Sequence, residues 1–136
     1  MSAFFDTNIL VYCTDTSDAR RQTQARQLVA QSSANGEAVI STQVLIELFN
    51  VLTRKQKMPA RVAKDLALAY AAWPLIHSDF ALVSAALEKS VAHQLSIFDA
   101  MVVEAALRAE AQTLYSEDMQ HGQRYGSLTV VNPFLK

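Results

Sequence analysis

Short apolar runs of β type, at Ala3 to Phe5, Ala38 to Ser41, Leu75 to His77, Thr113 to Tyr115 and Leu128 to Val131, alternate with longer stretches of helical patterning. That alternation is the signature of a parallel sheet covered by helices, an α/β fold with about five strands. Asp18 to Ser33 is polar and helix-favouring, and Asn35-Gly36 supplies its stop. Thr42 to Lys57 reads as a strongly apolar helix that ends before Pro59, which itself opens the next helix through Trp73. Asp79 caps a helix running to about His93, and Ser96 caps another running to about Ala111. No linker, repeat or low-complexity tract interrupts this pattern, so residues 1–136 are expected to form a single domain.

A chain of 136 residues buries roughly two-thirds of its unfolded surface, enough for a core without disulfides. With 51% hydrophobic and 18% charged residues it reads as globular. The net charge of −1 does not announce a nucleic-acid binder. Cys13 stands alone, which excludes an internal disulfide, fits a reducing compartment and suggests a buried helix position. No apolar run approaches membrane-spanning length and the N-terminal residues lack a signal pattern, so a cytoplasmic protein is expected.

Against this background four acidic residues stand out. Asp6 follows Ala-Phe-Phe, Glu47 lies within Val-Leu-Ile-Glu-Leu-Phe, Asp99 follows Ser-Ile-Phe, and Asp118 follows Thr-Leu-Tyr-Ser-Glu. Ionised carboxylates are rarely left in apolar surroundings unpaired, and no Lys or Arg adjoins any of the four. Asp6 and Asp118 fall just past strand ends, where an open α/β sheet forms its ligand crevice. Glu47 lies about a turn and a half into its helix, and Asp99 lies in the first turn after Ser96, so all four can meet at one sheet edge. Each also has a structural explanation. Asp6, Thr7 and Asn8 suit a helix cap, Ser96-x-x-Asp99 resembles a capping box, and Glu117-Asp118 suits a solvated turn. Glu47 borders a polar strip with Gln43 and Asn50 inside an otherwise buried helix.

Phe5-Asp6-Thr7-Asn8-Ile9-Leu10, Ser41 through Glu47, Ile97-Phe98-Asp99-Ala100, Tyr115 through Met119, and Val130-Val131-Asn132-Pro133-Phe134 together resemble a PIN-domain ribonuclease of the VapC-like type found as the toxin of bacterial toxin–antitoxin pairs. The segments span nearly the whole chain in the family's order. The resemblance implies a three-layer α/β/α sandwich with a mostly parallel central sheet. It places Asp6, Glu47, Asp99 and Asp118 in the positions of the metal-binding acidic quartet. It also implies a homodimer and an antitoxin encoded as a separate chain. Glu117 precedes Asp118, so either carboxylate suits the fourth position; Asp118 is the assignment made here.

Electrostatics supplies a reason for the quartet that is independent of family. Two carboxylates ~4 Å apart repel by about 4 kcal/mol at an effective dielectric of ~20, so their convergence calls for a cation. An all-oxygen donor set favours Mg²⁺ or Mn²⁺ over zinc. His77, His93 and His121 are scattered and are not expected among the ligands. The expected reaction is metal-assisted hydrolysis of RNA phosphodiesters, with Thr7, Asn8, Ser116 and Glu117 as supporting residues. Arg54, Lys55, Lys57, Arg61 and Lys64 form a candidate patch for the RNA backbone, and Arg20, Arg21 and Arg26 a second group. The apolar residues Leu45, Leu48, Phe49, Leu52, Leu66 and Tyr70 suit core, dimer interface or antitoxin groove.

Two other classes bear comparison. A phosphoacceptor signalling domain would show paired acids after the first strand and a lysine near the last, and neither is present. A non-catalytic interaction module on the same scaffold, or a housekeeping RNA-processing nuclease, remains the alternative reading, because fold does not fix function.

Overall fold

The computed structural model describes residues 1–135. Six strands and six helices follow in the order β1 (Ala3–Phe5), α1 (Thr7–Tyr12), α2 (Ala19–Ala34), β2 (Ala38–Ser41), α3 (Thr42–Arg54), α4 (Ala60–Tyr70), β3 (Leu75–Ile76), α5 (Phe80–His93), α6 (Ile97–Arg108), β4 (Thr113–Tyr115), β5 (Arg124–Tyr125) and β6 (Leu128–Val131). They form one sheet in the order β3-β2-β1-β4-β6-β5, parallel throughout except for the β5–β6 hairpin. Every residue of β1 and β2 is buried. Successive strand residues point to opposite faces, so both faces of the central strands are covered by helices. The result is the expected three-layer α/β/α arrangement.

The core is built where these strands meet. Phe4 pairs in register with Val39 on one side and Leu114 on the other, and Phe5 stacks on Tyr115 at 5.3 Å. Phe4, Phe5, Ile40, Leu48, Leu52 and Leu114 are fully buried, each contributing roughly 1.5–3 kcal/mol of apolar burial. Cys13 is buried at the C-terminal end of α1, and burial pushes its thiol up to about 11, which keeps it protonated and inert.

The caps read at Asp79 and Ser96 hold: Asp79 accepts from the Leu82 amide at 2.9 Å and Ser96 from the Asp99 amide at 3.1 Å. Asp18, read as the first residue of its helix, is its N-cap and accepts from the Arg21 amide at 3.1 Å. Several boundaries differ from the reading, and the helix read through Trp73 ends at Tyr70. The helix read to Lys57 stops at Arg54, where the chain is turned out by the left-handed backbone of Lys57 (φ 56°). The helix read to Ala111 stops at Arg108, with Glu110 at φ 56°. The third strand ends at Ile76, one residue short of His77.

The sheet has six strands, not five. The extra one, β5, is two residues long and pairs with β6 across Gly126-Ser127, where Gly126 supplies the positive φ (61°) that a two-residue hairpin turn requires.

The strand order fixes the position of the crevice. From β1 the chain moves outward to β2 and β3, then crosses to β4 on the other side of β1. The carboxyl ends of β1 and β4 therefore form the switch point at which open α/β sheets bind ligands.

Candidate active site

Asp6 is the first residue past β1 and Ser116 the first past β4, so the switch point presents both directly. The Asp6 amide donates to the Tyr115 carbonyl at 2.9 Å, prolonging the ladder by one bond and fixing the carboxylate over the crevice. The capping role read for this residue is compatible with a place on the cleft wall. Oδ1 accepts from the Thr7 amide at 2.8 Å and so caps α1. Oδ2 accepts from Ser116 Oγ at 2.8 Å and from Asn8 Nδ2 at 3.3 Å.

Asn8 joins the two sheet-edge acids, because Nδ2 also donates to Asp118 Oδ2 at 3.1 Å. Its Oδ1 accepts from the Glu117 amide at 3.0 Å, pinning the loop after β4. Glu47 reaches the crevice from α3. Its Oε1 accepts from Thr7 Oγ1 at 2.7 Å, and Gln43 Nε2, one turn earlier, donates to Oε2 at 3.5 Å. Asp99 arrives in the first turn of α6, where the helix dipole favours a negative charge.

Asp6, Glu47, Asp99 and Asp118 all line one cleft of about 500 Å³, together with Thr7, Asn8, Tyr12, Lys55, Phe98 and Glu117 among others. None of the four is in an ion pair among the described residues. The consequence is electrostatic stress. Burial raises the Asp6 carboxyl to about 6; hydrogen bonds from Ser116 and Thr7 pull it down, and the charges of Glu47 and Asp99 push it further up. Asp99 is also raised, first by burial and then by the Asp118 charge.

Glu117 has a different environment. Its Oε2 accepts from Arg21 Nε at 2.8 Å and its Oε1 from the Tyr12 hydroxyl at 2.6 Å, so both oxygens are engaged away from the other acids. Tyr12 was not singled out in the sequence and Arg21 only as a member of the second basic group, and at separations of 105 and 96 residues from Glu117 no local pattern links either to it. Gln43 was visible as the i−4 neighbour of Glu47. Of the five basic residues proposed for an RNA backbone, only Lys55 lines the cleft. Arg54 instead bonds Asn50 and Lys64 pairs loosely with Asp65 at 3.7 Å, while Lys57 and Arg61 are exposed. None of the histidines lines the cleft.

The donor chemistry suits a hard divalent cation: oxygen ligands only, no competing base, and carboxylates whose mutual repulsion a cation would relieve. Among the described residues no three acidic or histidine side chains are gathered tightly enough to enclose an ion by themselves. An open site of this kind fits Mg²⁺, which keeps several waters and takes one or two carboxylates directly.

The fold and this site define a class. The chain belongs to the PIN-domain family, whose model matches residues 3–125. Among solved structures it is similar to Mycobacterium tuberculosis VapC20, a Sarcin-Ricin loop cleaving toxin, at 27% identity over 86% of this chain and 90% of that one, with a TM-score of 0.72. It shares its fold with a toxin–antitoxin complex from Klebsiella pneumoniae (20% identity, 98% of each chain, TM-score 0.70). The same holds for VapBC2 from Rickettsia felis bound to a promoter DNA fragment (20% identity, 96% and 97% covered, TM-score 0.68). A comparison with curated proteins gave no match.

Proposed function

We propose that the chain is a Mg²⁺- or Mn²⁺-dependent endoribonuclease and the toxin of a toxin–antitoxin pair. The observation that carries this reading is the convergence of four carboxylates without an ion-pair partner on one cleft at the switch point of a PIN fold. The similarity to VapC20 at 27% identity supports RNA as the substrate class. Asp6, Asp99 and Asp118 would hold the cation, one or two of them directly and the rest through its waters, and Glu47 would hold it directly or through water. A cation there supplies an activated water and neutralises charge on the scissile phosphate. Asn8 keeps Asp6 and Asp118 at a fixed separation, Thr7 orients Glu47, and Ser116 supports the buried side of Asp6. Lys55 at the cleft wall meets the RNA backbone.

The partners follow from exposed apolar surface. Ile46 and Leu68 on α3 and α4 are 70% and 60% exposed and suit an amphipathic segment of an antitoxin. Phe80, Leu87 and Val91 leave a second apolar face on α5, which suits a homodimer. Among the described residues no helix is long and apolar enough to cross a membrane, and a reduced, buried Cys13 suits the cytoplasm, where RNA is met.

Cleavage of total cellular RNA by the purified chain, with Mn²⁺ or Mg²⁺ against EDTA, tests the reading, run beside Asp6→Asn and Asp99→Asn. Discrete fragments that need both metal and the unmodified chain are expected. Growth arrest on expression, absent for Asp99→Asn, is the outcome expected of a toxin and not of a housekeeping nuclease. Absence of cleavage, together with no rise in Tm on adding metal, would return the chain to the class of interaction modules.

A further inference from the structure

Gln43 stands four residues before Glu47 on α3, on the same helix face, and is only 9% exposed. Its Nε2 donates to two acceptors, the Phe98 carbonyl at 3.2 Å and Glu47 Oε2 at 3.5 Å. Phe98 directly precedes Asp99. One buried amide thus ties the helix that carries Glu47 to the first turn of the helix that carries Asp99.

The other end of the same amide is unsatisfied. Gln43 Oε1 is buried without a hydrogen-bond partner, which is unfavourable for the folded state. An unbranched apolar side chain of the same length would fill this position without that penalty. Glu47 does not need the amide for its own satisfaction: its Oε1 already accepts from Thr7, and the residue is partly exposed to water. Packing therefore gives no reason for glutamine here, whereas the two donated bonds do.

We infer that Gln43 is a positioning residue, which holds Glu47 Oε2 at a set distance from Asp99 and so fixes the spacing at which the two carboxylates share a divalent cation. This rests on the reading of the cleft as a metal site. Thr7 anchors one oxygen of Glu47; without Gln43 the carboxylate turns freely about its broad terminal torsion and α6 loses its tie to α3.

The test uses the full chain, with Mn²⁺ alone as probe and the free ion read by electron paramagnetic resonance. Gln43→Met keeps the side-chain length and removes both donated bonds. It is expected to melt no lower than the unmodified chain in EDTA, yet to bind Mn²⁺ roughly ten- to a hundred-fold more weakly. In a Glu47→Gln background the same substitution is expected to have a much smaller effect on Mn²⁺ affinity. Equal Mn²⁺ affinity for Gln43→Met and the unmodified chain would overturn the inference, as would an undiminished effect in the Glu47→Gln background. Gln43→Leu, read in the same way, guards against a packing fault peculiar to methionine; a Tm lowered in both variants would assign Gln43 a structural role instead. If the unmodified chain binds no Mn²⁺, the metal-site reading fails first and the inference with it.

Discussion

Arg21 donates from Nε to Oε2 of Glu117 at 2.8 Å, and this ion pair gives two adjacent carboxylates different surroundings. The guanidinium also bonds Asp18 at 3.1 Å and lies over the Tyr12 and Phe134 rings, 5.8 and 5.5 Å from their centroids. Tyr12 completes the arrangement from the other side. Its hydroxyl is pushed up to about 12, chiefly because it donates to Glu117. Asp118, one residue on, has Asn8 as its hydrogen-bond donor and no cation. The sequence left both acids open for the fourth position; their surroundings favour Asp118.

Glu117→Gln is therefore expected to retain Mn²⁺ binding and RNA cleavage within a few-fold, while Asp118→Asn loses most of both. Because the Arg21–Glu117 pair is partly exposed and screened by solvent, its loss should lower Tm only slightly. Isothermal titration with Mn²⁺ on the two variants decides the matter, and the reverse ranking would move the assignment to Glu117.

Asp6 makes the metal-free protein sensitive to pH in a definite direction. Its folded pKa of about 6 lies above the ordinary value of 3.8, so between about pH 4 and pH 6 the folded chain binds more protons than the unfolded chain. Stability from this group is present below that window and is lost as pH rises through it, by up to about 3 kcal/mol for a shift of this size. In EDTA, Asp6→Asn should gain Tm relative to the unmodified chain at about pH 7.5 and gain little at about pH 5. Mn²⁺ should restore the unmodified chain at the higher pH and do less at the lower. A difference between the two proteins that does not change with pH would show that burial of Asp6 is relieved in solution.

The legibility of this chain follows from how far each signal travels. β1 and β2 were readable because strands buried on both faces are nearly continuous apolar runs, and β4 and β6 because short β-favouring runs around buried Leu114, Leu128 and Val130 are bounded by polar residues. β5 carries no such run: Arg124 is exposed and Tyr125 alone is buried, so only the Gly126-Ser127 turn marks the hairpin. Helix ends at Arg54 and Arg108 were overrun because left-handed Lys57 and Glu110 leave no trace in composition. The quartet was visible since each acid breaks an apolar segment. Thr7, Asn8 and Ser116 were readable as supporting residues because they stand within two residues of Asp6 or Asp118, but their partners were not, since Thr7–Glu47 and Arg21–Glu117 join residues 40 and 96 apart.

Lys55 is the one basic residue of the proposed RNA patch that reaches the cleft wall. It is the C-cap residue of α3, and among the described residues it is in no ion pair. Lys55→Ala, in an Asp99→Asn background that prevents cleavage, should weaken RNA binding at low salt. It should also reduce the slope of log affinity against log salt by about 1. Arg61→Ala should leave that slope near its starting value. Fluorescence anisotropy with labelled RNA across a salt series distinguishes the two; equal slopes for both variants would spread the phosphate contacts over the whole patch.

Ser116 is fully buried, and its hydroxyl is oriented by donating to Asp6 Oδ2 at 2.8 Å while accepting from the Met119 amide at 3.4 Å. A donor to the charged form favours ionisation, and this bond is the largest influence holding Asp6 down against its burial. Ser116→Ala removes the donor and leaves desolvation unopposed on that side. The Asp6 carboxyl should then hold its proton to a higher pH, and because a cation needs the carboxylate, Mn²⁺ binding should require a higher pH as well. The expected signature is a displacement of the binding curve along the pH axis with its upper plateau retained, measured by Mn²⁺ titration at a series of pH values. A lowered plateau with an unmoved midpoint would assign Ser116 to holding the loop after β4, through Met119, instead of to tuning Asp6.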